Sequence, residues 1–193
     1  MSGALRPAVF LDRDGTIAEY VEYCRRPEDL RLLPGVGEAI RRLNESGVLV
    51  LVVTNQSAVG RGWLTHAQLE AIHARMRQAL ALAGARLDGI YVCPHHPDQG
   101  CACRKPASGL FEQAAAEHQI ALPASFMIGD RALDVLSGHR AGCSTILVRT
   151  GHELEPLLVA PHFAAQTLAE AVEWILTTRL KSAAMPQWSV DSA

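Results

Sequence analysis

The feature that most constrains this chain is a regular alternation of short apolar runs with segments of helical period. Ala8-Val9-Phe10-Leu11 is apolar and stops at Asp12. Between Gly35 and Ser46, Val36, Ile40 and Leu43 fall on one helical face, and Gly47 follows as a stop. Val48 to Val53 is continuously apolar, as expected of a strand covered on both sides within a parallel sheet. Thr65 opens the longest helix, with Leu69, Ile72, Met76 and Leu80 at helical spacing, a T-x-x-Q capping box at its start and Gly84 after its end. Strands are expected at Ile90–Val92, Phe126–Ile128 and Thr145–Val148. Helices are expected at Ser108–His118, Ala132–Arg140 and Leu168–Leu176. Strands alternating with helices at this spacing require right-handed crossovers. The fold class is therefore α/β, a doubly wound, Rossmann-like parallel sheet.

With 193 residues, the chain suits one domain over residues 1–180, followed by a polar, frayed tail over 181–193. A net charge of -2 lacks the basic excess of a dedicated nucleic-acid or anionic-membrane binder. No apolar run approaches the roughly 20 residues needed to span a bilayer. The start, Met1 to Pro7, has no signal-peptide core, so the expected location is cytoplasmic.

Ligands of open parallel sheets bind beyond the carboxyl ends of the strands. The residues there are Asp12-Arg13-Asp14-Gly15-Thr16, then Thr54-Asn55-Gln56-Ser57, then Gly129-Asp130 with Asp134 four residues on. Arg104-Lys105-Pro106 lies between the last two groups. Carboxylates converging at one edge repel one another unless a cation joins them. Hard oxygen ligands with room for water suit Mg²⁺, usually with a substrate phosphate. A carboxylate can also attack phosphorus. A second one two residues later can protonate the leaving oxygen and then activate water. Thr54 offers a hydroxyl, and Lys105 a charge, to the same phosphoryl group.

Three of the five cysteines crowd between 93 and 103, which in a chain of this size points to a metal rather than to a disulfide scaffold. Cys93-x-His95 and Cys101-x-Cys103 are two chelating pairs, since alternate residues of an extended chain point the same way. Cys₃His is a closed structural Zn²⁺ set. His96 is a rival ligand whose side chain should point away from that of Cys93. Reduced thiols in a loop are the plain alternative. Cys24 and Cys143 read as packing residues. A zinc-pinned loop would carry Arg104 and Lys105 into the site.

Asp12-x-Asp14-Gly15-Thr16, Thr54-Asn55, Lys105 and Gly129-Asp130-x-x-x-Asp134 resemble, in order and placement, the four motifs of the haloacid-dehalogenase-like (HAD-like) phosphohydrolases. The resemblance covers roughly residues 9–151. It implies Asp12 as nucleophile and Asp14 as general acid/base, its backbone carbonyl on Mg²⁺. It also implies Asp12 and Asp130 as further Mg²⁺ ligands, Asp134 beside them, and Thr54 and Lys105 on the transferring phosphoryl group. Cys-Pro-His-His-Pro, then Cys-x-Cys-Arg-Lys-Pro, with Thr-Asn-Gln-Ser and Arg61-Gly62, is similar to the heptose bisphosphate phosphatases. The histidinol-phosphate phosphatases share the zinc cluster. Only His96 to Gly100 separate the two ligand pairs, where heptose enzymes often carry a longer insertion. Arg131 stands where many of them have Lys.

The resemblance implies a phosphatase acting through an aspartyl-phosphate on a small phosphorylated sugar. The expected reaction removes the C7 phosphate of D-glycero-D-manno-heptose 1,7-bisphosphate, with Asn55, Gln56, Ser57, Arg61, Arg104 and Arg131 binding substrate. Histidinol phosphate is the alternative substrate. A phosphatase of nucleic-acid 3′ ends and a non-catalytic zinc-binding module are further alternatives. No insertion is long enough for a separate cap domain, so residues 19–26 and the zinc loop should close the site. A monomer is expected.

Overall fold

The computed structural model describes residues 5–151 and 156–183. The expected tail therefore lies outside the described residues from 184 onward. Six strands form one sheet: β1 (Ala8–Leu11), β2 (Leu49–Asn55), β3 (Gly89–Cys93), β4 (Phe126–Gly129), β5 (Ser144–Val148) and β6 (Phe163–Ala165). Every pairing is parallel, and the order is β3-β2-β1-β4-β5-β6. Among the described residues six α-helices accompany them: α1 (Val36–Glu45), α2 (Ser57–Gly60), α3 (His66–Ala81), α4 (Gly109–His118), α5 (Ala132–Arg140) and α6 (Leu168–Ala183). The doubly wound parallel sheet is the expected architecture.

The alternation of side chains along each strand divides the core in two. Val9, Leu11, Val50, Val52 and Ile128 face a layer that includes Ile40 and Leu43 of α1, Ile72 and Met76 of α3, and Val172 of α6. Ala8, Phe10, Leu51, Val53 and Met127 face Leu110, Phe111 and Ala114 of α4. Thr65 caps α3 with the expected reciprocal bonds to Gln68. Three elements differ from the expected ones. Helix α2 and strand β6 are additional, and α6 runs on to Ala183 rather than ending at Leu176. Thr54 and Asn55 also stand within β2 rather than after it.

This topology fixes where a ligand can enter. The chain leaves β1 toward β2 on one side, and β4 lies on the other. The carboxyl ends of β1 and β4 thus flank the crevice at which the winding reverses. Asp12 follows β1 and is stitched to its neighbour by a bond from its N–H to the Ile128 carbonyl (3.0 Å). Asp130 follows β4.

Candidate active site

The loop after β1 turns at Gly15, whose φ of +81° is one that only glycine adopts without strain. Its N–H donates to the Ala18 carbonyl at 2.7 Å, closing the turn. Space demands glycine there as well, because a side chain at Gly15, or at Gly151, would land on the Asp130 carboxylate.

Lys105 reaches into this centre from the other half of the chain. Its Nζ lies 2.8 Å from Asp12 Oδ1, 2.7 Å from Asp134 Oδ1 and 2.8 Å from the Val53 carbonyl. The contacts to Asp12 and to the Val53 carbonyl are hydrogen bonds, and the contact to Asp134 is an ion pair. Burial alone would lower the Lys105 pKa, but the charges of Asp12 and Asp134 outweigh it and hold it above the ordinary value. The lysine backbone is held from β2: Asn55 Nδ2 donates to the Lys105 carbonyl (3.1 Å), and Lys105 N–H donates to Asn55 Oδ1 (3.0 Å). Asn55, expected on substrate, also positions Lys105.

Oxygens of Asp12, Asp130 and Asp134 gather within 4.8 Å of one another. Burial pushes the Asp134 carboxyl up; Lys105 opposes this, while Asp12 and Asp130 add to it. Three buried carboxylates close to one another, with glycines leaving room around Asp130, make a hard-oxygen donor set that fits Mg²⁺. The Asp14 side chain is not part of this cluster and is held by Arg13 and Gln56. Neither partnership was legible in the sequence, because a charged residue on a loop ordinarily reads as surface.

Cys93, His95, Cys101 and Cys103 form a second cluster, also within 4.8 Å. Cys93 Sγ is 3.5 Å from Cys101 Sγ and 3.6 Å from His95 Nδ1. His95 Nδ1 is 3.1 Å from Cys103 Sγ, and Cys103 Sγ is 3.4 Å from Cys101 Sγ. Tetrahedral Zn²⁺ spaces such ligands by roughly 3.5–3.8 Å, so the set fits that ion. His96 stands apart, its Nδ1 accepting from the Asp98 N–H at 3.3 Å. Burial alone would raise the Cys101 pKa, but hydrogen bonds from Cys103 and Cys93 bring it down to about 7. The cluster is tied to α2, where Gly60 N–H donates to the Pro94 carbonyl (2.8 Å) and a side chain at Gly60 would strike the backbone of His95 and His96.

A cavity of about 220 Å³ opens above Asp12. Asp14, Thr54, Asn55, Gln56, Ser57 and Lys105 line it, as do Arg61, Arg104 and Arg131. Residues 20–24, from the first segment expected to close the site, and Pro97 of the zinc loop are also among its lining residues. Arg61 lies over the rings of Tyr23 (5.8 Å) and Trp63 (5.2 Å). These aromatic neighbours carried no signal in the sequence. Cys24 and Cys143 are buried, as expected of packing residues, although Cys24 also borders the cavity.

A parallel sheet with its carboxylates and one buried lysine at the winding reversal defines a hydrolase of the HAD-like class. The family profile described as "HAD-hyrolase-like" matches residues 102–173. D-glycero-D-manno-heptose-1,7-bisphosphate 7-phosphatase of Thermosynechococcus vestitus is 41% identical over 89% of this chain and 96% of its own. D-glycero-beta-D-manno-heptose-1,7-bisphosphate 7-phosphatase of Helicobacter pylori is 39% identical over 87% and 96%. The crystal structure of D,D-heptose 1.7-bisphosphate phosphatase from B. bronchiseptica, complexed with magnesium and phosphate, superposes with a TM-score of 0.81. It is 34% identical and covers 89% of this chain and 99% of that one. The chain belongs to the phosphatase family that these relatives form. Among the described residues, no helix is long and apolar enough to cross a membrane.

Proposed function

We propose that the protein hydrolyses the C7 phosphate of D-glycero-D-manno-heptose 1,7-bisphosphate and leaves the anomeric phosphate in place. The observation that carries this reading is a cavity lined both by Asp12, Asp14 and Lys105 and by three arginines. A bisphosphate brings a second dianion that must be held while the first reacts, and guanidinium groups suit it. Histidinol phosphate, with a cationic amine, would need acidic walls. Among the described residues outside the centre, the cavity lining sets Glu22 against Arg61, Arg104 and Arg131. The names of the 41% and 39% identical relatives support the same substrate.

In the mechanism, an Asp12 carboxylate oxygen attacks phosphorus and the bond from phosphorus to the sugar oxygen breaks. Asp14 gives its proton to that oxygen. Water then attacks the aspartyl-phosphate, Asp14 takes the water proton, and the Asp12–phosphorus bond breaks to release inorganic phosphate. Lys105, hydrogen-bonded to Asp12 and ion-paired with Asp134, holds Asp12 in line and acts on the phosphoryl group through its charge. Thr54 donates its hydroxyl to a phosphoryl oxygen, and Ser57 lies beside it at the start of α2. Asp12, Asp130 and the Asp14 carbonyl would hold Mg²⁺, which when bound offsets the charge between carboxylate and phosphate.

Cys93, His95, Cys101 and Cys103 would hold Zn²⁺ in a closed structural site that fixes the backbone leading to Arg104 and Lys105. The thiol set suits the reducing cytoplasm. Walls drawn from the chain's own loops suit a monomer with one domain over residues 1–180.

The test is a side-by-side assay with Mg²⁺. The bisphosphate should show the higher kcat/KM; a higher value for histidinol phosphate refutes the substrate. Asp12→Asn should lower turnover by at least about 10³. Near-normal turnover of the folded variant refutes the nucleophile.

A further inference from the structure

Arg13 stands in sequence between the two carboxylates that act on phosphate, and the mechanism above makes no use of it. Its side chain is 1% exposed. Burying a guanidinium costs several kcal/mol unless it is paired, and an apolar residue of like volume would serve a core at least as well. A charge at this position therefore calls for a reason in its bonds.

Those bonds form a closed ring. Arg13 Nε donates to Asp14 Oδ1 (2.9 Å) and Nη2 donates to Asp14 Oδ2 (2.8 Å), the two-pronged geometry that fixes a carboxylate in both position and rotation. Nη2 also donates to Gln56 Oε1 at 3.0 Å. A guanidinium can only donate, so the Gln56 amide must turn its oxygen to Arg13 and its nitrogen the other way. That nitrogen donates to Asp14 Oδ2 and to Thr54 Oγ1, both at 2.9 Å. Thr54, accepting there, keeps its own hydrogen to donate, and it borders the cavity. One buried charge thus sets the orientation of three side chains in turn.

We infer that Arg13, through Gln56, is a positioning residue that locks the Asp14 carboxylate and the Thr54 hydroxyl in register over one phosphate. The inference rests on the phosphatase reading. It predicts where the loss falls when Arg13 is removed. An alkyl phosphate cannot leave without the Asp14 proton, whereas p-nitrophenolate leaves unaided.

The experiment compares single-turnover phosphoryl transfer from a sugar phosphate and from p-nitrophenyl phosphate, with Mg²⁺, in the full chain. Wild-type protein inert toward both refutes the phosphatase reading itself. With wild type active, Arg13→Met should slow the sugar phosphate about 10²-fold and p-nitrophenyl phosphate less than about 10-fold. KM should be little changed. Arg13→Lys should stay impaired, because one ammonium cannot fork two oxygens. Gln56→Met leaves the buried ion pair intact and serves if Arg13→Met does not fold; it should show the same selectivity at about 10-fold. Equal losses on both esters, no loss, or full recovery by lysine would overturn the inference.

Discussion

Lys105→Met removes a cation that touches two of the three buried carboxylates. The Lys105 ammonium sits 2.8 Å from Asp12 and 2.7 Å from Asp134, and the Asp134 side chain has no exposed surface. Deleting one partner of such a pair leaves the other charge buried and uncompensated, which costs about 3–5 kcal/mol. In a domain of this size each kcal/mol moves Tm by about 2–4 °C, so a fall of about 6–20 °C is expected. Turnover should fall about 10²–10³-fold, as for the loss of one fixed donor from a transition-state site. The assay pairs thermal unfolding with phosphate release. A double-mutant cycle with Asp134→Asn isolates the cause. Once Asp134 carries no charge, the lysine has less to neutralise, so the two costs should sum to at least about 1 kcal/mol more than the cost of the double mutant. Additive costs, or an unchanged Tm in Lys105→Met, would refute the claim that this ion pair organises the centre.

Elemental analysis of protein purified without chelator should find about one zinc per chain beside any Mg²⁺, and Cys101→Ser should lower zinc content and activity together; full activity without zinc would separate the cluster from the site. Gly60→Val should act like a mild loss of zinc, because its side chain meets the backbone of His95 and His96; an unaltered zinc affinity would show that α2 does not hold the loop. The fourth prediction concerns pH. Burial first, and the Arg13 charge second, push the His73 pKa down from 6.5 to about 4. The unfolded chain takes up this proton near its ordinary value and the folded chain refuses it, so the contribution is complete above pH 6.5. It is lost as pH falls from there toward 4, by about 3 kcal/mol at most. Unfolding by urea between pH 7 and 5 should show a slope that His73→Gln flattens; identical slopes would refute the assignment.

The strands that position the site were legible because interior parallel strands are apolar on both faces and stop abruptly. Leu11 gives way to Asp12, and Ile128-Gly129 to Asp130, so the chain announces where the sheet ends and the chemistry begins. Strand β6 was not legible: Phe163-Ala164-Ala165 is too short and too alanine-rich to carry a strand signal, and it forms because β5 offers it an edge. Helix α2 has four residues, fewer than a periodicity needs to declare itself. The candidate site divides in the same way. Asp12, Thr54, Lys105 and Asp130 could be read from position, but the partners of Asn55 and Gln56 could not. Asn55 bonds to the backbone of Lys105, fifty residues on, and Gln56 to Arg13 and Asp14, more than forty residues back. Their spacing from those partners is fixed by the sheet register, in which β2 lies between β1 and β3, and no local pattern encodes it. Amide side chains beside a phosphate site look like ligand contacts when read along the chain. Across the sheet, the same two side chains hold the lysine backbone and the acid in place, so substitutions at Asn55 and Gln56 should be read first through Lys105 and Asp14.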